Sequence, residues 1–212
     1  ARSALRRLEK NFLKSLLKVP TQKRVAYFTG GHGDRATGSA DKDAKRPVLR
    51  SVKGLLENWQ FSVQELSVAN GLTEKVPDDA NVVFIMGPKQ PFLRAEVDTL
   101  LAATKRGLRL VVALDAENPV DMSELLGPLG LAVETGTVAN LQANAPLTRT
   151  DRDRHTVYTT TFSSHPSVTT NARNNRRYAV VVDRALALKT QYVTDKSVKA
   201  EMVMQAPSDT FL

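Results

Sequence analysis

Along residues 1–130 short unbroken apolar runs alternate with apolar stripes of helical period. The motif VAYFTGGHGD, residues 25–34, opens as such a run and breaks into a glycine-rich turn, which predicts a buried strand delivering polar groups to a sheet edge. Residues 34–46 are polar and aperiodic and predict a mobile loop. Pro47 then opens a helix with Val48, Leu49, Val52, Leu55, Leu56 and Trp59 on one face. Residues 61–66 read as a second strand, 71–80 as a loop, and 81–86 as a third strand ending in Gly87-Pro88-Lys89. A second helix runs over 94–106 with Val97, Leu100 and Leu101 inward, and Gly107 is placed to cap it. Residues 108–114 form the fourth strand, ending at Asp115, and Met122, Leu125, Leu126 and Leu129 mark a short third helix.

This is the spacing of βαβ units, and it predicts an α/β fold with an open, mostly parallel sheet flanked by helices. The first, third and fourth runs are continuous rather than alternating, as burial on both faces requires. From Leu131 the rhythm changes: residues 131–139, 156–162, 178–188 and 201–205 are rich in Val, Thr and Tyr and predict additional β-strands. The expected organisation is a basic amphipathic leader helix over 1–22 and a single α/β domain over 23–212. Its core spans 23–130 and its strand-rich extension 131–212.

Charge sharpens the leader. The formal net charge is +8, but residues 1–24 hold eight basic side chains and one acid, leaving the rest nearly neutral. Leu5, Leu8, Phe12 and Leu16 form a stripe opposite that charge, which fits a docking helix with a solvated basic face, or contact with an anionic membrane surface or acidic partner. Nucleic acid is disfavoured, because aromatic stacking positions and recognition motifs are missing. The absence of cysteine removes disulfides, thiolate metal sites and a cysteine nucleophile. No apolar run is long enough to cross a bilayer. The chain begins at Ala1 inside a helical pattern, which reads as a piece of a longer protein whose flanks leave membrane spans open.

In open α/β sheets ligands sit beyond the carboxyl ends of the strands. Three such ends carry polar groups: Gly30, Gly31, His32, Gly33 and Asp34 after the first strand, Gly87 and Lys89 after the third, and Asp115, Glu117 and Asn118 after the fourth. If those strands are neighbours, the loops converge on a ligand-binding cleft. The alternative is structural: glycines that permit the turn, a histidine bonded to its own loop, and Asp115 anchoring the next helix. Enzyme signatures are weak. There is no G-x-S-x-G elbow, His32, His155 and His165 lack a metal-ligand spacing, and Ser163-Ser164-His165-Pro166 reads as a turn. No catalytic residue, metal or cofactor is implied.

The ordered set VAYFTGGHGD, VPDDANVVFIMGPKQP, LRLVVALDAENP, ELLGPLGLAVETGTV and FSSHPSVTTNARNNRRYAVVVDRALAL resembles the gliding-motility-associated ABC-transporter auxiliary proteins. The resemblance implies a non-catalytic binding or scaffolding domain of a membrane-anchored transport or gliding-motility component. It would lie on the extracytoplasmic, periplasmic face beside an ABC-type permease. It also implies a class I glutamine-amidotransferase-like, flavodoxin-like fold without a nucleophile, akin to a scaffold domain of intraflagellar-transport proteins. Residues 30–34 and 87–89 match that family's recurrent motifs, and the polar insert after Asp34 departs from them. The alternative is a small-molecule or glycan-binding, enzyme-like domain with His32 as acid or base and Asp34 or Asp115 orienting it.

Overall fold

The computed structural model describes residues 24–35, 49–117 and 119–212. The expected leader helix, most of the polar loop, the Pro47 helix start and Asn118 lie outside the described residues. The chain divides into two compact units, Ala1–Ala113 and Leu114–Leu212. Among the described residues no helix is long and apolar enough to cross a membrane.

The first unit is a mixed α/β layer. It contains β1 (Arg24–Thr29), α1 (Arg50–Asn58), β2 (Phe61–Leu66), β3 (Ala80–Met86), α2 (Arg94–Lys105) and β4 (Arg109–Ala113). The four strands are parallel and ordered β2-β1-β3-β4. The chain moves one way from β1 to β2 and the other way from β3 to β4, so right-handed crossovers carry α1 and α2 to opposite faces. On one face Ala26, Phe28, Leu56 and Val82 form a buried cluster, with Leu49, Val52, Phe61 and Phe84 packed around it. Phe28 and Phe84 stack there with ring centroids 4.7 Å apart. Strand alternation turns Val25, Tyr27, Val83 and Ile85 to the opposite face, where all four are buried, and α2 buries Val97, Leu100 and Ala103. Gly107, at φ +97°, ends α2 as its position in the sequence predicts.

Two expectations change. Leu55 and Trp59 were placed inward, yet they are 56% and 67% exposed. The apolar arc of α1 is wider than the strip the sheet covers, and only the Leu49, Val52 and Leu56 side packs. β4 was expected to be buried on both faces. It alternates instead, with Arg109, Val111 and Ala113 exposed, because it is the last strand in the sheet order and an apolar run does not reveal an edge.

The second unit has α3 (Ser123–Leu126), β5 (Leu131–Val133), β6 (Thr156–Thr159), β7 (Thr161–Phe162), α4 (Thr169–Arg173), β8 (Val180–Asp183), β9 (Leu188–Thr190) and β10 (Met204–Gln205). The additional strands form three antiparallel pairs, β5 with β9, β6 with β8, and β7 with β10. They are shorter than the sequence runs. Residues 131–139 stop being strand after Val133, with Gly136 at φ +105°, and the run 178–188 is broken after Asp183 by Arg184 at φ +47°. A left-handed residue cannot continue a ladder.

Candidate functional site

Because β2 and β3 flank β1, the strand order reverses between β1 and β3, and their carboxyl ends border the switch point where doubly wound folds bind ligands. The turn after β1 and the loop after β3 meet there. The His32 carbonyl accepts from the amides of Lys89 at 2.7 Å and Gln90 at 3.1 Å, and the Arg35 amide donates to the Met86 carbonyl at 2.9 Å. On the other side the Gly30 amide donates to the Leu66 carbonyl at 3.0 Å. The turn is thus tied to the ends of both flanking strands.

The side chains complete the closure. His32 is 6% exposed, and its ring stacks on Phe92 with centroids 3.9 Å apart. Its Nε2 lies 3.0 Å from Oε2 of Glu96, which is fully buried on α2. The same Glu96 oxygen accepts from the Leu93 amide at 2.7 Å, covering one of the free N–H groups that begin α2. This is half of a capping box, since Leu93 has no side-chain acceptor to return the bond. Asp34 closes the turn from within: Oδ1 accepts from the Thr29 hydroxyl at 3.0 Å and Oδ2 from the His32 amide at 3.2 Å. Asp34 Oδ2 is also 3.7 Å from His32 Nδ1, a charge contact too long for a hydrogen bond. The Asp34 carboxylate, joined by that of Glu96, raises the His32 pKa above its ordinary value against the lowering effect of burial.

A helix N-terminus at a switch point is a natural seat for an anion. Here the Glu96 carboxylate occupies it.

The glycines serve the same closure. A Cβ on Gly33, at φ +69°, would stand 3.2 Å from Lys89 Cβ, and one on Gly87, at φ +59°, would stand 3.2 Å from Arg35 Nε. Gly31, at φ +102°, faces open space, while Gly30 lies under the exposed Glu65 carboxylate. Gly87→Ala is therefore expected to destabilise the protein by about 1–2 kcal/mol, from left-handed strain plus displacement of Arg35. Gly30→Ala should cost less, because Glu65 can swing into solvent. Denaturant unfolding of the two variants side by side checks the order.

Gly30, Gly31, His32, Gly33, Asp34, Gly87 and Lys89 are thus gathered at one edge. Asp115 belongs to the second unit, where Oδ1 accepts from the Glu117 amide at 3.2 Å. That bond makes a local turn. His165 likewise caps its own turn, with Nδ1 2.8 Å from the Ser167 hydroxyl. Among the described residues no group of three or more His, Cys, Asp or Glu could hold a metal.

Sequence reasoning missed Glu96 and Phe92. The signal for Glu96 was an acid at the third position of a helix, disguised because the cap residue is leucine rather than Ser or Thr. It also missed Asn140 in the second unit, 1% exposed and bonded through both side-chain ends. An apolar recess of about 510 Å³ in that unit, lined in part by Val157, Val182, Leu188, Met202 and Met204, has no motif to announce it.

Fold and site together define an α/β domain with a switch-point edge closed by its own side chains. No protein-family model and no curated protein matches the chain. Among solved structures it is similar to one described as "mmIFT52 N-terminal domain", at 14% sequence identity and a TM-score of 0.58, over 88% of this chain and 75% of that one. At that identity the likeness shows the fold alone. These findings correct the sequence-based assignment to the ABC-transporter auxiliary family and its glutamine-amidotransferase-like fold. The motifs that carried the assignment are strand ends, turns and caps, features that doubly wound domains repeat for physical reasons. The permease partner and the extracytoplasmic position were implications of that resemblance alone.

Proposed function

We propose that this chain is a non-catalytic binding or scaffolding domain. The observation that carries the proposal is the closure of the switch-point edge: the place where related topologies seat a ligand is taken by Glu96, His32 and Phe92 of the same chain. Every bond described there is internal, and the groups that an acid–base mechanism would expose are buried. The fold of an mmIFT52 N-terminal domain is a second support, since the same architecture serves there as one domain of a larger protein. On this basis the glycine-rich turn shapes the domain, and partners engage other surfaces.

The competing proposal, a small-molecule or glycan site centred on His32, makes an opposite prediction. Thermal unfolding of the parent and of His32→Asn across a metabolite and sugar panel should give no ligand-dependent shift in either protein. In-cell crosslinking of the full-length protein should recover a stoichiometric protein partner that is lost when residues 24–212 are deleted. A compound that raises the Tm of the parent and leaves His32→Asn unmoved would overturn the scaffold proposal.

A further inference from the structure

Two buried polar atoms at the closed edge, His32 Nδ1 and Glu96 Oε1, have no hydrogen-bond partner among the described residues. Such atoms are rare in folded proteins and call for a physical reason. The two ring nitrogens of His32 point at two different carboxylates: Nε2 is 3.0 Å from Glu96 and Nδ1 is 3.7 Å from Asp34. A neutral imidazole has one proton to give. Placed on Nε2, it leaves the Nδ1 lone pair facing Asp34; placed on Nδ1, it leaves the Nε2 lone pair facing Glu96. Both neutral tautomers set a lone pair against a carboxylate in a site with almost no water access. With both carboxylates ionised, only the imidazolium matches both neighbours.

The structure assigns His32 as a buried imidazolium that latches the turn after β1 and the loop after β3 to the start of α2, so that losing its proton releases the edge. The surrounding charges are consistent with this on every packed element. Asp34 on the turn and Glu96 on α2 face the ring, and Phe92 covers it without charge. Lys89 reaches His32 through its backbone amide while its side chain runs along Gly33. Arg35 lies against Gly87, Glu65 against Gly30, and Arg94 pairs with Asp98. The direction is fixed by sign. A histidine held above its ordinary pKa contributes fully at pH below its unfolded value and loses that contribution as pH rises through the folded one. The edge is therefore closed in mild acid and loosens as pH rises through the raised His32 value. This device is independent of the scaffold proposal, since it needs no partner and is read on the isolated chain.

The test is a pH titration followed by NMR on the whole protein, with a free histidine peptide as the reference. His32 should keep both ring nitrogens protonated to a pH above the ordinary histidine value. Amide protection factors at Lys89, Gln90 and Leu93 should fall about tenfold or more across the His32 titration. Asp34→Asn, which leaves the Glu96 contact in place, should move the His32 midpoint down, and if that variant does not fold, Glu96→Gln provides the same measurement. A His32 midpoint at or below that of the reference peptide, a neutral ring with the proton on Glu96, or protection that stays flat through the titration would each overturn the assignment.

Discussion

Glu96→Ala is expected to lower the unfolding free energy by about 3–5 kcal/mol, the larger of the two main effects argued for single side chains. Glu96 is fully buried, and one oxygen serves both the Leu93 amide at 2.7 Å and the His32 ring at 3.0 Å. Truncation removes both partners together. It leaves a buried imidazole without one of its two counter-charges, an amide at the start of α2 without an acceptor, and a void where a methylene and a carboxyl group packed. The cap contributes about 1 kcal/mol of this and the broken buried pair most of the rest. Glu96→Gln keeps the volume and an acceptor for Leu93, so its loss should be roughly half. Urea unfolding at about pH 5.5 and about pH 9 separates the parts. The parent's advantage over Glu96→Ala should be greater at the acid value, because the His32 pKa is raised, by Asp34 first and Glu96 with it, and the charged contribution fades as pH rises through it.

The second large effect lies in the other unit. Asn140 donates through Nδ2 to the Ser208 carbonyl at 2.9 Å and the Thr210 hydroxyl at 3.0 Å, and it accepts through Oδ1 from the amides of Gln142 at 2.8 Å and Ala143 at 2.7 Å. It therefore fastens the chain near residues 208–210 to the turn that follows β5. Asn140→Ala should cost about 3 kcal/mol, since four partners lose their bonds in a site that is 1% exposed. Asn140→Asp keeps the two acceptances and sets a carboxylate oxygen against the Ser208 carbonyl, so it should also destabilise. Hydrogen exchange distinguishes the two: the Gln142 and Ala143 amides should lose protection in the alanine variant and keep it in the aspartate variant.

The parallel core was legible because β1 and β3 are buried on both faces and their continuous apolar runs say so. The edge position of β4 was not legible. Its run RLVVA looks like that of a central strand, and only the sheet order reveals that it has one neighbour. At the site, the glycine-rich turn and Gly87 were visible as breaks in pattern, and their mutual approach followed once β1 and β3 were adjacent. What sequence could not supply was the occupant. Glu96 looks like an ordinary acid in the first turn of a helix, and nothing local shows that it faces His32, 64 positions earlier. Asn140 was hidden for the same reason, with partners 68 and 70 positions away.

The sheet order also bears on how fast this protein reaches its native state. Val25, at the start of β1, gives its amide to the side chain of Asn81, 56 positions along the chain, beside the register irregularity between β1 and β3. No neighbour of β1 is local, because even β2 arrives only after α1. Pairing must close long loops before any ladder energy is returned, and such topologies fold more slowly than helical bundles of equal size. Stopped-flow refolding of the chain should accordingly be slow, and an Asn81→Ala chain should unfold faster by the loss of that one long-range anchor.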